Sequence, residues 1–190
     1  MKVSREQATE NRGKILTAAA KLFRQHGFEG ISVADLMKKA GLTHGGFYGH
    51  FSSKEELMAQ ACTQAFSETL KVWKAALAGN SPNAIGEFAR TYLTVKHRDL
   101  PGSGCAASAL AVDASRQGPL VREALTTGVR EHLDIIAQMS AGKTAAARRD
   151  KAMTTYAALI GALVLSRAVD DEKLSEGFLR AVRESVSKPA

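Results

Sequence analysis

Ile31-Ser32-Val33-Ala34-Asp35-Leu36-Met37-Lys38-Lys39-Ala40-Gly41-Leu42-Thr43-His44-Gly45-Gly46-Phe47-Tyr48-Gly49-His50 contains two short helices and the turn that joins them. Ser32 with Asp35 three residues on forms a capping pair, and Ile31 with Leu36 a hydrophobic staple around it. The first helix, expected over 33–40, turns Val33, Leu36, Met37 and Ala40 inward and Lys38 and Lys39 outward. Gly41 ends it in a left-handed conformation that costs glycine no steric strain. Leu42 and Phe47 repeat the staple, with Thr43 as the expected new cap. A second helix is expected over 44–50. Such a pair, joined by Ala40-Gly41-Leu42-Thr43, has the pattern of a helix-turn-helix.

Outward from this stretch the punctuation stays helical. Ile15, Leu16, Ala19, Ala20 and Phe23 make one apolar stripe on a helix expected over 4–26. Gly27 closes that helix, and Phe28 folds back on its last turn. Ser53 with Glu56 opens a long helix over 54–78. Further helices are expected over 83–97, 105–117, 119–141, 144–168 and 171–187. No stretch alternates apolar and polar residues with β-branched enrichment, so the chain reads as all-α, with about nine helices.

The 190 residues have average globular composition, 45% hydrophobic and 24% charged. The longest apolar run, Tyr156–Leu165, is ten residues, against the about 20 that a bilayer span needs. Met1–Arg12 is polar and lacks the apolar core of a secretory signal, so no such signal is expected. With only Cys62 and Cys105 there is no disulfide framework, and a reducing cytoplasm is expected. The five histidines show neither an HExxH pairing nor a nearby carboxylate cluster, so no metal and no cofactor are expected. GxSxG, phosphate-loop and dinucleotide-binding motifs are absent, and an enzyme is not expected.

Charge is unevenly spread. The net is +7; residues 1–54 carry nine Lys and Arg against four Asp and Glu, and the remainder carries 17 against 15. A basic first third joined to a nearly balanced remainder points to a polyanion partner.

Asn11-Arg12-Gly13-Lys14-Ile15-Leu16, Leu22-Phe23, His26-Gly27-Phe28, Ser32-Val33, Ala40-Gly41-Leu42-Thr43, Phe47-Tyr48, His50-Phe51 and Ser53-Lys54-Glu55-Glu56-Leu57 together resemble the DNA-binding domain of TetR/AcrR bacterial transcriptional regulators. The resemblance covers about a quarter of the chain. It implies a three-helix DNA-binding domain over 9–69 and a helical ligand-sensing and dimerisation domain over 70–190. The second helix of the motif would enter the major groove of a double-stranded operator. That places Thr43, His44, Gly45, Gly46 and Tyr48 at the DNA, with Tyr48 and Lys54 on phosphates. Ser32 opens a helix whose free N–H groups suit an anion, and His50 is structural or faces phosphate. Phe47 falls at a core position. Gly46 and Gly49 depart from the family's larger residues; each glycine weakens the helix by roughly 1 kcal/mol relative to alanine. Close backbone approach to DNA is the corresponding benefit, and His44 remains as the best base-reading side chain.

A helix this short needs two copies on two half-sites, hence a homodimer. Tyr156, Ile160, Gly161, Leu163 and Val164, on a helix apolar all round, and Leu174, Phe178 and Val182, on an amphipathic one, are the expected interface. Phe66, Leu70, Trp73, Phe88, Tyr92, Leu110 and Leu133 are candidates to line an apolar cavity for an unidentified small-molecule effector. Asp113 would orient a polar ligand group or pair with Arg116 or Arg122. Leu100-Pro101-Gly102-Ser103-Gly104-Cys105 reads as a flexible loop that brings Cys105 to a helix start. Some regulators of this type carry a Gly-Cys pair there, and some sense electrophiles through a cysteine. The expected function is a ligand-released repressor with no membrane partner. A redox- or electrophile-sensing regulator acting through Cys105 is the alternative.

Overall fold

The computed structural model describes residues 4–77, 81 and 83–188. Among them run nine α-helices and two 3-10 turns, with no strand. The head comprises α1 (Arg5–His26), α2 (Val33–Lys39), a 3-10 helix (His44–Gly49) and the start of α3 (Lys54–Leu77). The last residue of the expected 54–78 helix lies outside the described residues. Then follow α4 (Ala84–Tyr92), α5 (Val95–Asp99), a 3-10 turn (Pro101–Ser103), α6 (Ala106–Ala114), α7 (Pro119–Met139), α8 (Ala145–Ala168) and α9 (Glu172–Ser187).

One apolar core runs from end to end. Ile15, Phe23, Phe28, Leu36, Phe47 and Phe51 fill the head and continue through Leu57, Ala61 and Ala65 into Phe66 and Trp73. Helix α3 belongs to both parts: its first half packs on α1, and its length lies along α7. Gly128 of α7 lies against the Phe66 ring of α3, with no room for a Cβ. Helices α8 and α9 pack on each other and close the far end against α7 and α4.

Three segments differ from the sequence reading. The helix expected over 83–97 is broken at Leu93, whose backbone (φ −89°, ψ 72°) leaves the helical region. Thr94 is extended and starts α5, its hydroxyl accepting from the His97 N–H at 3.1 Å. The segment expected as a flexible loop is a tight turn instead: Gly102 is buried against Gln25, and the Arg24 guanidinium donates to the Gly104 carbonyl at 3.2 Å. The second helix of the motif is 3-10, with Gly46 N–H on Thr43 O at 3.1 Å. The Thr43 side chain makes no capping bond. Three glycines in seven positions supply too little helix propensity to hold a full α-turn.

Candidate functional site

The turn between the two short helices forms as its residue types dictate. Gly41 sits at φ 75°. Its N–H reaches Lys38 O at 3.1 Å and Leu42 N–H reaches Met37 O at 2.9 Å, the two bonds of a Schellman closure. Ser32 caps α2, accepting from Asp35 N–H at 3.1 Å and donating to the Asp35 carboxylate at 2.6 Å. Ser53 caps α3 through Glu56 N–H at 3.0 Å. The Glu56 carboxylate turns back to Ser52, accepting from its N–H at 2.7 Å and its hydroxyl at 2.6 Å. Those two bonds hold its pKa below the usual carboxylate value.

Phe47 is buried, stacked on Phe51 and edge-on to Tyr48. The Arg12 guanidinium lies 4.7 Å from the centre of the Phe51 ring and clasps the start of α3 through Gln60 at 2.6 Å. This anchoring leaves the outer face bare. Ser32, Thr43, His44 and Gly45 are exposed, Gly46 and His50 half-buried, and Tyr48 is 75% exposed. Lys54 is half-buried, and its ammonium pairs with Glu29 at 3.0 Å.

The glycines of this face are not required by the fold. Gly45, Gly46 and Gly49 lie outside the positive-φ region. A Cβ would meet nothing within 4 Å at Gly45 or Gly49, and only ordinary contacts, 3.8 Å to Met37 and 3.9 Å to Thr43, at Gly46.

The head is also bonded sideways to the rest of the chain. The Phe28 N–H donates to the Asp113 carboxylate at 3.2 Å. Arg24, buried, spans from Gly104 O to Glu68 on α3 at 2.8 Å. The Glu55 carboxylate packs against Gly118 at the start of α7. Asp113, expected to face a ligand, therefore belongs to the head contact, with Arg116 at 3.9 Å as its ion partner.

A cavity of about 210 Å³ opens between α3, α4 and the segment 97–105. Of the residues put forward for an effector cavity, Trp73, Phe88, Tyr92 and Cys105 line it, and Phe66, Leu70, Leu110 and Asp113 do not. Phe66, Leu110 and Leu133 are core, and Leu70 packs against it. Ser103 and Gly104, from the segment before Cys105, also line the cavity, as do Thr69, Val72, Thr91 and His97, which the sequence does not single out. The one local signal for His97 is the Thr94 cap that precedes it. His97 fastens the wall: Nδ1–H donates to Tyr92 O at 2.7 Å, and Nε2 accepts from Cys105 N–H at 3.0 Å. Those partners fix the neutral tautomer, and burial lowers the pKa in the same sense. Arg167 holds the segment from the other side, donating to His97 O at 2.9 Å and Arg98 O at 3.0 Å.

Behind Trp73 lies His132, wholly buried and stacked on the indole at 4.7 Å. It bonds Thr69 at 3.3 Å and Tyr156 at 3.2 Å. Burial depresses its pKa to about 4. Burial pushes the Cys62 thiol up to about 12.

Of the residues expected at a dimer interface, Tyr156 and Leu163 are buried within the subunit and cannot reach a partner. Ile160, Gly161, Val164, Phe178 and Val182 are half-buried and Leu174 exposed. A Cβ at Gly161 or Gly177 would meet nothing within 4 Å. Among the described residues no helix is long and apolar enough to cross a membrane.

Residues 15–61 match the profile of the bacterial regulatory proteins of the tetR family. The HTH-type transcriptional regulator YdgC of Bacillus subtilis is 34% identical over 92 residues, 48% of this chain and 47% of that protein. The HTH-type transcriptional regulator TtgR of Pseudomonas putida is 38% identical over 66 residues, 35% of this chain and 31% of that one. The chain thus spans less than half the length of either relative. Similarity of fold extends further. The reduced form of Escherichia coli NemR superposes with a TM-score of 0.76 at 22% identity, over 95% of this chain and 99% of that one. A TetR transcriptional regulator of Chloroflexus aurantiacus gives 0.78 at 22%, over 96% and 97%. Residues 15–61 thus carry the profile of the tetR-family DNA-binding segment, on a fold shared with solved TetR regulators.

Proposed function

We propose that the protein is a dimeric repressor of the cytoplasm that grips a palindromic operator and lets go when a small molecule enters the cavity beside Trp73. The bare outer face of the 3-10 helix carries the reading. Phe47 anchors it from within, Tyr48 stands 75% exposed at its surface, and its glycines serve nothing inside the subunit. Thr43 and His44 reach base edges; Ser32, Tyr48 and His50 meet phosphates, which fix register without reading sequence. Lys54 joins them on release from Glu29. One small helix covers few base pairs, so two heads bind half-sites one helical turn, roughly 34–36 Å, apart. The half-open strip of Ile160, Gly161, Val164, Leu174, Phe178 and Val182 joins the two chains as a self-complementary face.

The proposed domains, 9–69 and 70–190, share the continuous helix α3. Arg24 adds a second connection, from Gly104 in the cavity wall to α1, and Asp113 a third, from α6 to Phe28 just after α1. An effector that fits one arrangement of this connection better shifts the population toward it. A coupling of about 1–3 kcal/mol changes operator affinity about 5–150-fold. Gel-shift titration with the intergenic DNA beside its own gene, paired with sedimentation, tests the reading. The expected result is a dimer with a steeply salt-dependent shift of one fragment. A strict monomer, or equal affinity for every fragment, overturns it.

A thiol-based release through Cys105 is the second reading. The observation that favours it is the position of Cys105 in the cavity wall. N-ethylmaleimide would add across its double bond, forming an S–C bond while the thiol proton passes to carbon. Release by that reagent in native protein and not in Cys105→Ser supports this route; equal release in both removes it.

A further inference from the structure

We infer that Glu29 is an internal stand-in for operator phosphate: it holds the Lys54 ammonium in the free chain and must be displaced before that lysine binds DNA. The inference rests on the proposed place of Lys54 at a phosphate and adds what competes for it.

Lys54 stands where the fold has little use for a cation. It is the first residue of α3. The free N–H groups of a helix start carry partial positive charge, which repels an ammonium and favours an anion. Ser53 already supplies the cap, and the Lys54 side chain is half-buried and fills no core position. A cation there gains from an adjacent anion, yet the two acids of the same turn are directed elsewhere. Glu56 accepts from Ser52 at 2.7 and 2.6 Å and from Gln60 at 2.8 Å. Glu55 packs its carboxylate against Gly118. The anion comes instead from 25 residues away: Glu29 Oε2 lies 3.0 Å from Lys54 Nζ.

Glu29 is placed for this contact and for nothing deeper. Its side chain is 74% exposed, on the short link between α1 and α2. Phe28 beside it is buried and tied by its N–H to Asp113 at 3.2 Å, which steadies the backbone. Gln117, at the corner between α6 and α7, donates to the other carboxylate oxygen, Oε1, at 3.5 Å. The carboxylate is thus held beside Lys54 while open to water. An exposed ion pair is weak and screened by salt. Such a pair yields to a duplex phosphate, and the exchange subtracts its small worth from operator binding. Glu29 is therefore a brake on operator affinity.

Anisotropy titration of the operator fragment with the full chain tests this in native protein, Glu29→Gln, Lys54→Met and the double variant. Glu29→Gln keeps the size of the side chain and removes its charge; it is expected to tighten binding about threefold. Lys54→Met is expected to weaken binding and to lower the salt slope by about 0.9 per head. In the Lys54→Met background Glu29→Gln is expected to gain less than about 1.5-fold, because the pair it breaks is already absent. A second readout needs no DNA: acetylation of Lys54 by an N-hydroxysuccinimide ester, followed by mass spectrometry, is expected to quicken in Glu29→Gln as the amine loses its cover. Equal tightening in both backgrounds is a general charge effect and overturns the inference, as does unchanged affinity or unchanged acetylation in Glu29→Gln. Intact affinity and slope in Lys54→Met also overturn it, while the operator reading stands. Absence of any preferred fragment with native protein is instead the failure of the operator reading, and the acetylation result does not depend on it.

Discussion

Residues 40–56 and residues 93–105 are both runs of short helices and tight turns, yet they are held in opposite ways. The first is fastened largely by its own neighbours: Gly41 and Leu42 close α2, and Ser53 with Glu56 opens α3, through bonds that each span five residues or fewer, with Arg12 on Phe51 and Glu29 on Lys54 as the longer reaches. Its outer face is left free. The second is fastened from far away, by Arg24 of α1 and Arg167 of α8 reaching its carbonyls. Its anchors tie the cavity wall to the head at one end and to α8 at the other. The segment proposed to touch DNA is therefore locally self-sufficient, and the segment proposed to sense is a junction.

The largest expected effect falls on the junction side. His132 titrates at an ordinary 6.5 when unfolded and about 4 when folded, so the unfolded chain takes up the proton first. Its contribution is full above about pH 6.5 and is lost as pH falls toward 4, roughly 3 kcal/mol in all. Urea unfolding between pH 7 and 4 measures this, and His132→Gln flattens the profile. The lowered pKa of His97 acts in the same direction. Next, Arg24→Met strips Gly104 O and Glu68 of their shared partner and costs about 2 kcal/mol, reduced from the value for a fully buried pair because Glu68 is 42% exposed. It also blunts the operator response to effector, while residual operator affinity at low temperature survives.

On the head side Gly41→Ala forces a Cβ into φ 75° and costs about 1 kcal/mol by denaturant midpoint. Smallest for stability are Gly45→Ala and Gly49→Ala, within about 0.5 kcal/mol and tending to stabilise. Operator affinity nonetheless falls in both. A tight-binding Gly45→Ala would show that the backbone is not approached closely.

This contrast also explains what is legible in the sequence. Caps, staples and left-handed glycines act over a few residues, so α1, α2, the turn at Gly41 and the start of α3 can be read directly. The 3-10 geometry of 44–49 is implicit in its glycines, although Thr43 makes no cap. The cavity is legible only in part. Trp73, Phe88, Tyr92 and Cys105 are identifiable as aromatic or reactive, but nothing local separates Trp73, at the cavity, from Phe66, two turns back in the core. What closes the cavity is His97 across eight residues and Arg24 across eighty, and such distances leave no periodic trace. Asp113 shows the same limit: it lies in an apolar helix because it receives the Phe28 N–H from the head. Tyr156 shows it again, an apolar-helix residue turned inward to His132.

The exposed face around Tyr48 is proposed to read DNA, in two copies. Quantitative footprinting of the DNA flanking its gene, with native protein and Tyr48→Ala, tests it most directly. The expected result is a palindromic footprint with half-sites one helical turn apart, weakened about tenfold by the substitution at unchanged thermal midpoint. A footprint of the same strength in Tyr48→Ala, or protection without two-fold symmetry, would contradict it.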